Sequence, residues 1–206
     1  MRKAFIVLAV TGAASFANAQ VIYDNINGYT WGPGDNNSGQ FLDGQAQYAT
    51  QQFIAATSGT IGIVELSIQQ APSSSAPTSG QVALFADNGL NRMGAQLGTS
   101  QSFASSPGYN SGSILSVAGQ AAWQVTAGTP YWIRVKPNST SSMSWRYTPG
   151  AALGPIGYKT PSAASWTYGD GTQAGIRISA VPEPTTLLAF GIGALAMWRR
   201  RKPQIA

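Results

Sequence analysis

The chain has no cysteine and no histidine in 206 residues. Without thiols there is no disulfide framework and no thiol redox chemistry, so a folded domain must be held by its core alone. Without imidazole as well, a Ser-His-Asp triad, a Cys-His dyad, a zinc centre and haem ligation are excluded. Charge is scarce too: Asp, Glu, Lys and Arg make up 9% of the chain, against roughly 25% in an ordinary soluble domain. Gly, Ser, Thr, Asn and Gln carry the solubility instead, a balance common in exported β proteins and uncommon in cytosolic enzymes. The net charge of +5 belongs to the ends. Arg2, Lys3, Arg199, Arg200, Arg201 and Lys202 hold six of the 12 positive charges, and between Gln20 and Pro184 six basic residues face seven acidic ones, a net −1. No basic footprint for nucleic acid is left in the body of the chain.

The two ends read as address labels. Arg2-Lys3, the apolar stretch Ala4 to Val10 and the small-x-small triplet Ala17-Asn18-Ala19 predict a signal helix over residues 1–19, cut by signal peptidase before Gln20. No Cys follows the apolar stretch, which excludes lipoprotein processing. At the other end, Val181-Pro182-Glu183-Pro184 precede an uncharged run: Leu187, Leu188, Ala189, Phe190, Gly191, Ile192, Gly193, Ala194, Leu195, Ala196, Met197 and Trp198. Arg199, Arg200, Arg201 and Lys202 close it. Two prolines around one charge neither continue a strand nor start a buried helix. The run suits lipid or a core, Trp198 marks a lipid–water interface, and the basic cluster is a stop-transfer signal held on the cytoplasmic side. From Thr185 to Trp198 a helix reaches about 21 Å at ~1.5 Å per residue, short of a ~30 Å hydrocarbon core. That length suits a span held transiently in the inner membrane and then cut. Motif, apolar helix and basic end, over 181–206, resemble the PEP-CTERM sorting signal of Gram-negative bacteria. The resemblance implies recognition of Pro182-Glu183-Pro184 by the membrane protease-transpeptidase exosortase. It also implies export through the inner membrane to the cell envelope, outer surface or extracellular matrix.

Residues 20–180 are enough for one domain with a real core. Apolar residues recur there with period two, in short bursts broken by Gly, Pro, Ser and Asn. About nine strands are expected: Val21–Tyr23, Gln52–Ile54, Val64–Gln69, Gln81–Leu84, Ile114–Val117, Trp123–Val125, Tyr131–Lys136, Ser144–Tyr147 and Ile176–Ser179. Turn signals separate them at Asp87-Asn88-Gly89, Ala127 to Pro130, Thr148-Pro149-Gly150 and Gly169-Asp170-Gly171. Gly28 to Gly44 and the low-complexity stretch Ala71 to Gly80 read as loops. No helical stripe lasts three turns. The expected fold is all-β, a single antiparallel β-sandwich of jelly-roll type between the signal helix and the sorting helix.

Several words of this domain resemble the choice-of-anchor exported domains: Val21-Ile22-Tyr23-Asp24-Asn25, Tyr48 to Phe53 with Ile61 to Ile68, Val82 to Asp87, Ala127 to Trp132, and the strand of Trp145. That resemblance implies a β-rich surface module of unassigned biochemistry. Carboxylates, Lys, Tyr and Ser remain for any catalysis. A glycosidase needs two carboxyls ~5–9 Å apart; Glu65 sits on the polar side of a strand, and the aspartates beside Gly or Asn fit turn chemistry. Asp35-Asn36-Asn37 with Asp43 offers oxygens to Ca²⁺ or simply a solvated loop; the spaced carboxylate pattern and bidentate Glu of a dedicated site are missing. No cofactor and no other metal are called for.

Aromatic residues are the most suggestive feature. Five tryptophans (Trp31, Trp123, Trp132, Trp145, Trp166) join eight tyrosines in a body with little charge. Rings stack on sugar faces, and Asn and Gln amides reach hydroxyls. Trp132 should point opposite to Tyr131, Ile133 and Val135, beside Arg134 and Lys136, and Trp31 lies in the Gly-rich loop. Either ring presents a platform to exopolysaccharide, or fills a core under a second layer. Three functions follow for an exported protein: a non-catalytic glycan-binding surface or matrix protein, a purely structural or adhesive module, or a glycan-active enzyme. Coplanar exposed rings, a uniform Ser/Thr/Asn surface, and a cleft with two close carboxylates would mark them respectively.

Overall fold

The computed structural model describes residues 19–26, 39–43, 47–70, 78–105, 113–148, 150 and 152–181, and these are strand, turn and irregular chain throughout. The strands are β1 (Val21–Asp24), β2 (Gly39–Asp43), β3 (Tyr48–Ile54), β4 (Gly59–Gln70), β5 (Thr78–Asp87), β6 (Met93–Ser105) and β7 (Ser113–Ala118). They continue with β8 (Gln124–Val125), β9 (Pro130–Pro137), β10 (Ser142–Arg146), β11 (Leu153–Lys159), β12 (Thr167–Thr172) and β13 (Ile176–Ala180). No helix among the described residues is long and apolar enough to cross a membrane.

Two antiparallel sheets form from them. One runs β1-β13-β4-β10-β2, with β7 and β8 also on β4; the other runs β12-β11-β3-β9-β5-β6. Eight of the strands pair in nested fashion: β1 with β13, β3 with β9, β4 with β7, and β5 with β6. Numbered among themselves, these pairs are first with last, second with seventh, third with sixth and fourth with fifth. That is the folded-over hairpin of a jelly roll. The domain is therefore an antiparallel β-sandwich.

Period-two alternation sends one side of each strand into a shared core. From the first sheet come Ile22, Ile61, Val64, Leu66, Ile68, Leu115, Met143, Trp145, Ile176 and Ile178; from the second come Phe53, Val82, Leu84, Ile133 and Val135. Each such side chain stabilises the fold by roughly 1.5–3 kcal/mol when removed from water. Trp123 and Trp145 are fully buried, and Trp145 donates from Nε1 to the Gly175 carbonyl at 3.0 Å.

The chain passes from the second sheet to the first between β12 and β13, and this passage is buried. Its peptide groups need partners away from water. The Gln51 amide supplies two, donating to Ala174 O (2.9 Å) and accepting from Ala174 N (2.8 Å). Asn25 brackets the same segment, donating to Ala174 O and accepting from Ile176 N. Gln173 donates to the Gln52 carbonyl and accepts from Tyr23 Oη.

The nine expected strands coincide with β1, β3, β4, β5, β7, β8, β9, β10 and β13. Four more were not expected. Gly39–Asp43, placed in a loop by its composition, is β2 and pairs with β10. Thr78 to Gly80 open β5 rather than ending a connector. Gly169-Asp170-Gly171, expected as a turn, lies inside β12 opposite Gly154 to Ile156. β2, β6 and β12 are edge strands; such strands need no continuous apolar face, so periodicity does not report them. β11 carries Pro155 and two glycines, which argue against a strand in sequence terms.

Gln51→Ala removes both of its bonds to Ala174, leaving the buried Ala174 N–H without a partner and its carbonyl with Asn25 alone. Urea unfolding of this variant is expected to show a loss of about 1–3 kcal/mol, and a change under about 0.5 kcal/mol would show that the clamp is unimportant.

Candidate functional site

The outer face of the second sheet gathers cations and rings. Residues paired across antiparallel strands share a face, so pairing writes this face as rows. Ala83, Arg134, Thr50 and Gly157 form one, and Phe85, Trp132 and Gln52 the next. Gln81 pairs with Lys136, and Tyr48 with Lys159. The cations rest on rings. Arg134 lies 4.8 Å from the centre of Phe85, Lys136 Nζ 5.4 Å from Tyr48, and Arg92 5.8 Å from Tyr168. Lys159 donates to the Ala164 carbonyl at 3.5 Å. Burial pulls the Arg134 guanidinium pKa down from its ordinary value, with Tyr48 opposing. None of these four cations forms an ion pair with a described residue, whereas on the first sheet Arg177 bridges Asp24 (3.0 Å) and Glu65 (3.5 Å).

A cation over a ring gains about 0.5–1 kcal/mol at an exposed site, and it loses rotamer freedom in doing so. The charge is then held in place before any partner arrives, which lowers the ordering cost of binding. Arg134 and Lys136 are two residues apart on one strand, about 7 Å, and Lys136 and Lys159 are two strand spacings apart, about 10 Å.

Trp132 lies on the side of β9 opposite to Tyr131, Ile133 and Val135, as expected. It is fully buried, in an outer cluster with Ala83 and Phe85 under Met93 and Tyr168. The cover is its own sheet's outer layer, not the opposite sheet. Tyr168 meets it edge-on, centroids 5.5 Å apart at 77°. Gly157 permits this: a Cβ there would lie 2.9 Å from the Tyr168 ring and 2.8 Å from the Thr50 methyl. A ring so covered offers no face to a sugar, so the platform expected at Trp132 is corrected to a structural aromatic. Trp31 lies outside the described residues, as do Ala17 and residues 182–202. Ala19 and Gln20 are exposed, and Val181 is half exposed, its N–H donating to Thr60 O at 2.8 Å.

The acids show what the surface can do chemically. Asp87, at the end of β5, accepts from Trp132 Nε1 (2.7 Å) and Gln52 Nε2 (2.8 Å) with one oxygen, and from Gly89 N (2.6 Å) with the other. Burial works to raise its pKa, but the donors of Trp132, Gly89, Gln52 and Arg92 outweigh it and hold the carboxyl below its usual value. It also borders an open depression of about 450 Å³, lined by Leu97, Gln124, Thr129, Pro130 and Tyr131, in which it is the single charged group. A lone carboxylate with a lowered pKa is the reverse of a general acid. No group of three metal-capable acids occurs among the described residues; Asp35 to Asn37 lie outside them.

The face was missed in sequence because its pairs lie on different strands. Arg134 and Lys136 were visible beside Trp132, but not the rings beneath them.

Asp87→Ala leaves Trp132 Nε1 buried without an acceptor, and is expected to cost about 2 kcal/mol with a shift in tryptophan emission. The folded-state pKa of Asp87 lies below the unfolded one, so the carboxylate adds stability above the unfolded value. That contribution is lost as pH falls through the folded value. Denaturant titrations from neutral to acid pH should show a smaller acid loss in Asp87→Ala than in the parent; parallel curves would deny the linkage.

No curated protein matches the chain. Residues 180–202 match the model of the PEP-CTERM protein-sorting motif. The match begins at Ala180, the last residue of β13, so the signal starts where the sheet ends. The chain is thus an exported protein that carries, at its C-terminal end, the PEP-CTERM signal of proteins sorted by exosortase to the cell envelope or surface.

Proposed function

We propose that the sorted domain is a non-catalytic module of the cell envelope or extracellular matrix that binds acidic exopolysaccharide through the outer face of its second sheet. On this reading signal peptidase first frees Gln20, exosortase then acts at Pro182-Glu183-Pro184, and the domain meets its ligand outside the cell. The observation that carries the reading is the set of cations seated on rings without ion pairs to any described residue: Arg134 on Phe85, Lys136 on Tyr48 and Arg92 on Tyr168. Fixed positive charge at ~7–10 Å intervals on a flat sheet suits carboxylates repeated along a polysaccharide. The rings hold the cations in position rather than stacking on sugars, a change from the ring platform expected of Trp132. The lowered pKa of Asp87 and the Arg177 bridge that holds Asp24 and Glu65 support a role without acid–base catalysis.

Binding of the processed protein to alginate, as an acidic polyuronate, and to neutral dextran tests this reading. Alginate should bind, dextran should not, and the affinity should fall with salt, because exposed charges are screened beyond ~10 Å at 0.1 M. A triple variant, Arg92→Gln with Lys136→Gln and Lys159→Gln, should lose at least about tenfold in affinity, or about 1.4 kcal/mol, with an unchanged circular dichroism spectrum. Equal binding by the variant, no binding by the parent, or stronger binding of duplex DNA would each overturn the reading. Absence of binding to either polysaccharide would leave a structural module.

A further inference from the structure

The nested strand order places the two ends of the domain side by side. Ala180 N donates to Gln20 O at 2.8 Å, Val21 pairs with Ser179, and Val181 N donates to Thr60 O. The sequence expected to be cut before Gln20 and the Pro182-Glu183-Pro184 motif thus leave the sandwich from neighbouring strands, about 5 Å apart. The connections are short. From Val181 to the start of the apolar run at Leu187 the chain spans at most ~20 Å, and from Gln20 back to Val10 at most ~35 Å. A domain of about 160 residues has a radius of gyration of roughly 15 Å.

The exposed apolar side chains collect at the same end. Seven large ones are exposed among the described residues, and six of them lie here: Val21, Ile54, Ile63, Leu90, Leu153 and Val181. Ile63 pairs with Ser179, next to Val21. Val181 packs against Gly62, its Cγ2 3.0 Å from where a Cβ would stand. On the second sheet Ile54 pairs with Pro130 at the start of β9. The pairing of Ile156 with Gln51 sets Leu153 level with Ile54. Leu90 lies in the turn between β5 and β6, just beyond the pairing of Ala86 with Tyr131. The loop from Ala55 to Ser58 closes this end, with Ala56 N on Ile22 O and Ala55 N on Thr129 O. Lys136, six residues along β9 from Pro130, is about 20 Å away.

We propose that this end is a membrane-contact surface. In the precursor, before the terminal segments are removed, the rim of six apolar side chains rests on the lipid surface and holds Pro182-Glu183-Pro184 at the interface, in reach of a membrane-embedded protease. Lys136 and Lys159, at the far end of the second sheet, then lie toward the medium, while Arg92 shares the β5–β6 turn with Leu90 and stands at the rim. The proposal rests on the terminal segments entering a membrane and is independent of the polysaccharide reading. The occupant is lipid rather than another protein, because the tethers that bring the rim to its partner are themselves apolar chain.

The absence of cysteine makes the test direct. Single variants Ile63→Cys and Leu153→Cys on the rim, and Ser139→Cys in the exposed turn after β9, take a fluorophore at one site each. The full chain is reconstituted into vesicles that contain nitroxide-headgroup lipid and no other protein, and flotation reports whether it is bound. The rim labels are expected to be quenched several-fold more than the label at position 139. Chain that floats with equal quenching at both ends overturns the proposal alone. Chain that fails to float removes the premise, and the proposal with it. Rim labels protected only after a sorting protease is added would make the enzyme the occupant, which also overturns it.

Discussion

The pairing of the first strand with the last is the constraint on which the rest depends. β1 contributes four residues, yet it closes the nested set of hairpins by lying on β13. Local contacts cannot fix a pairing across about 150 residues, and loop closure over that span is entropically unfavourable. Side chains at the seam compensate. Tyr23, Asp24 and Asn25 each hold the far end of the chain: Tyr23 through Gln173, Asp24 through Arg177, and Asn25 through Ala174 and Ile176. Gln51 secures the same passage from the other sheet. Tyr23 to Asn25, with Gln51 and Gln52, are thus polar joints of the sandwich.

The same constraint orders the surface. Closing the roll sets the points where both terminal segments depart on one end, and the exposed apolar side chains lie around that end. The outer face of the second sheet is left to the cations. Their arrangement uses the aromatic content in an indirect way. Phe85, Tyr48 and Tyr168 are supports for charge, while Trp132, Trp123 and Trp145 serve burial. Asp87 couples the two uses, since it ties the turn that carries Arg92 to Trp132 and Gln52.

Much of the fold was legible in the sequence because half-buried strands advertise themselves by alternation. Tyr131, Ile133 and Val135 alternate with Trp132, Arg134 and Lys136, and the structure sends the first set into the core. Three of the edge strands, β2, β6 and β12, were not legible. β6 and β12 are Gly- and Ser-rich or short of large apolar residues, and a strand paired on one side needs no apolar stripe. The orientation of Trp132 was legible and the choice between platform and covered ring was not, because the ring that covers it comes from β12 and reaches it only across the missing side chain of Gly157. The cationic face was hidden for a related reason. Its two charges on β9 are in plain view, but the rings under them are contributed by β3 and β5. The sorting signal lay at the opposite extreme, since motif, apolar run and basic end are contiguous.

Intact mass of the protein recovered from the envelope of a host that has the sorting protease tests the central claim most directly. A folded domain freed of both labels should begin at Gln20 and end within Pro182 to Pro184, with any attached group adding to that mass. A recovered protein that keeps Arg199 to Lys202 would contradict the account.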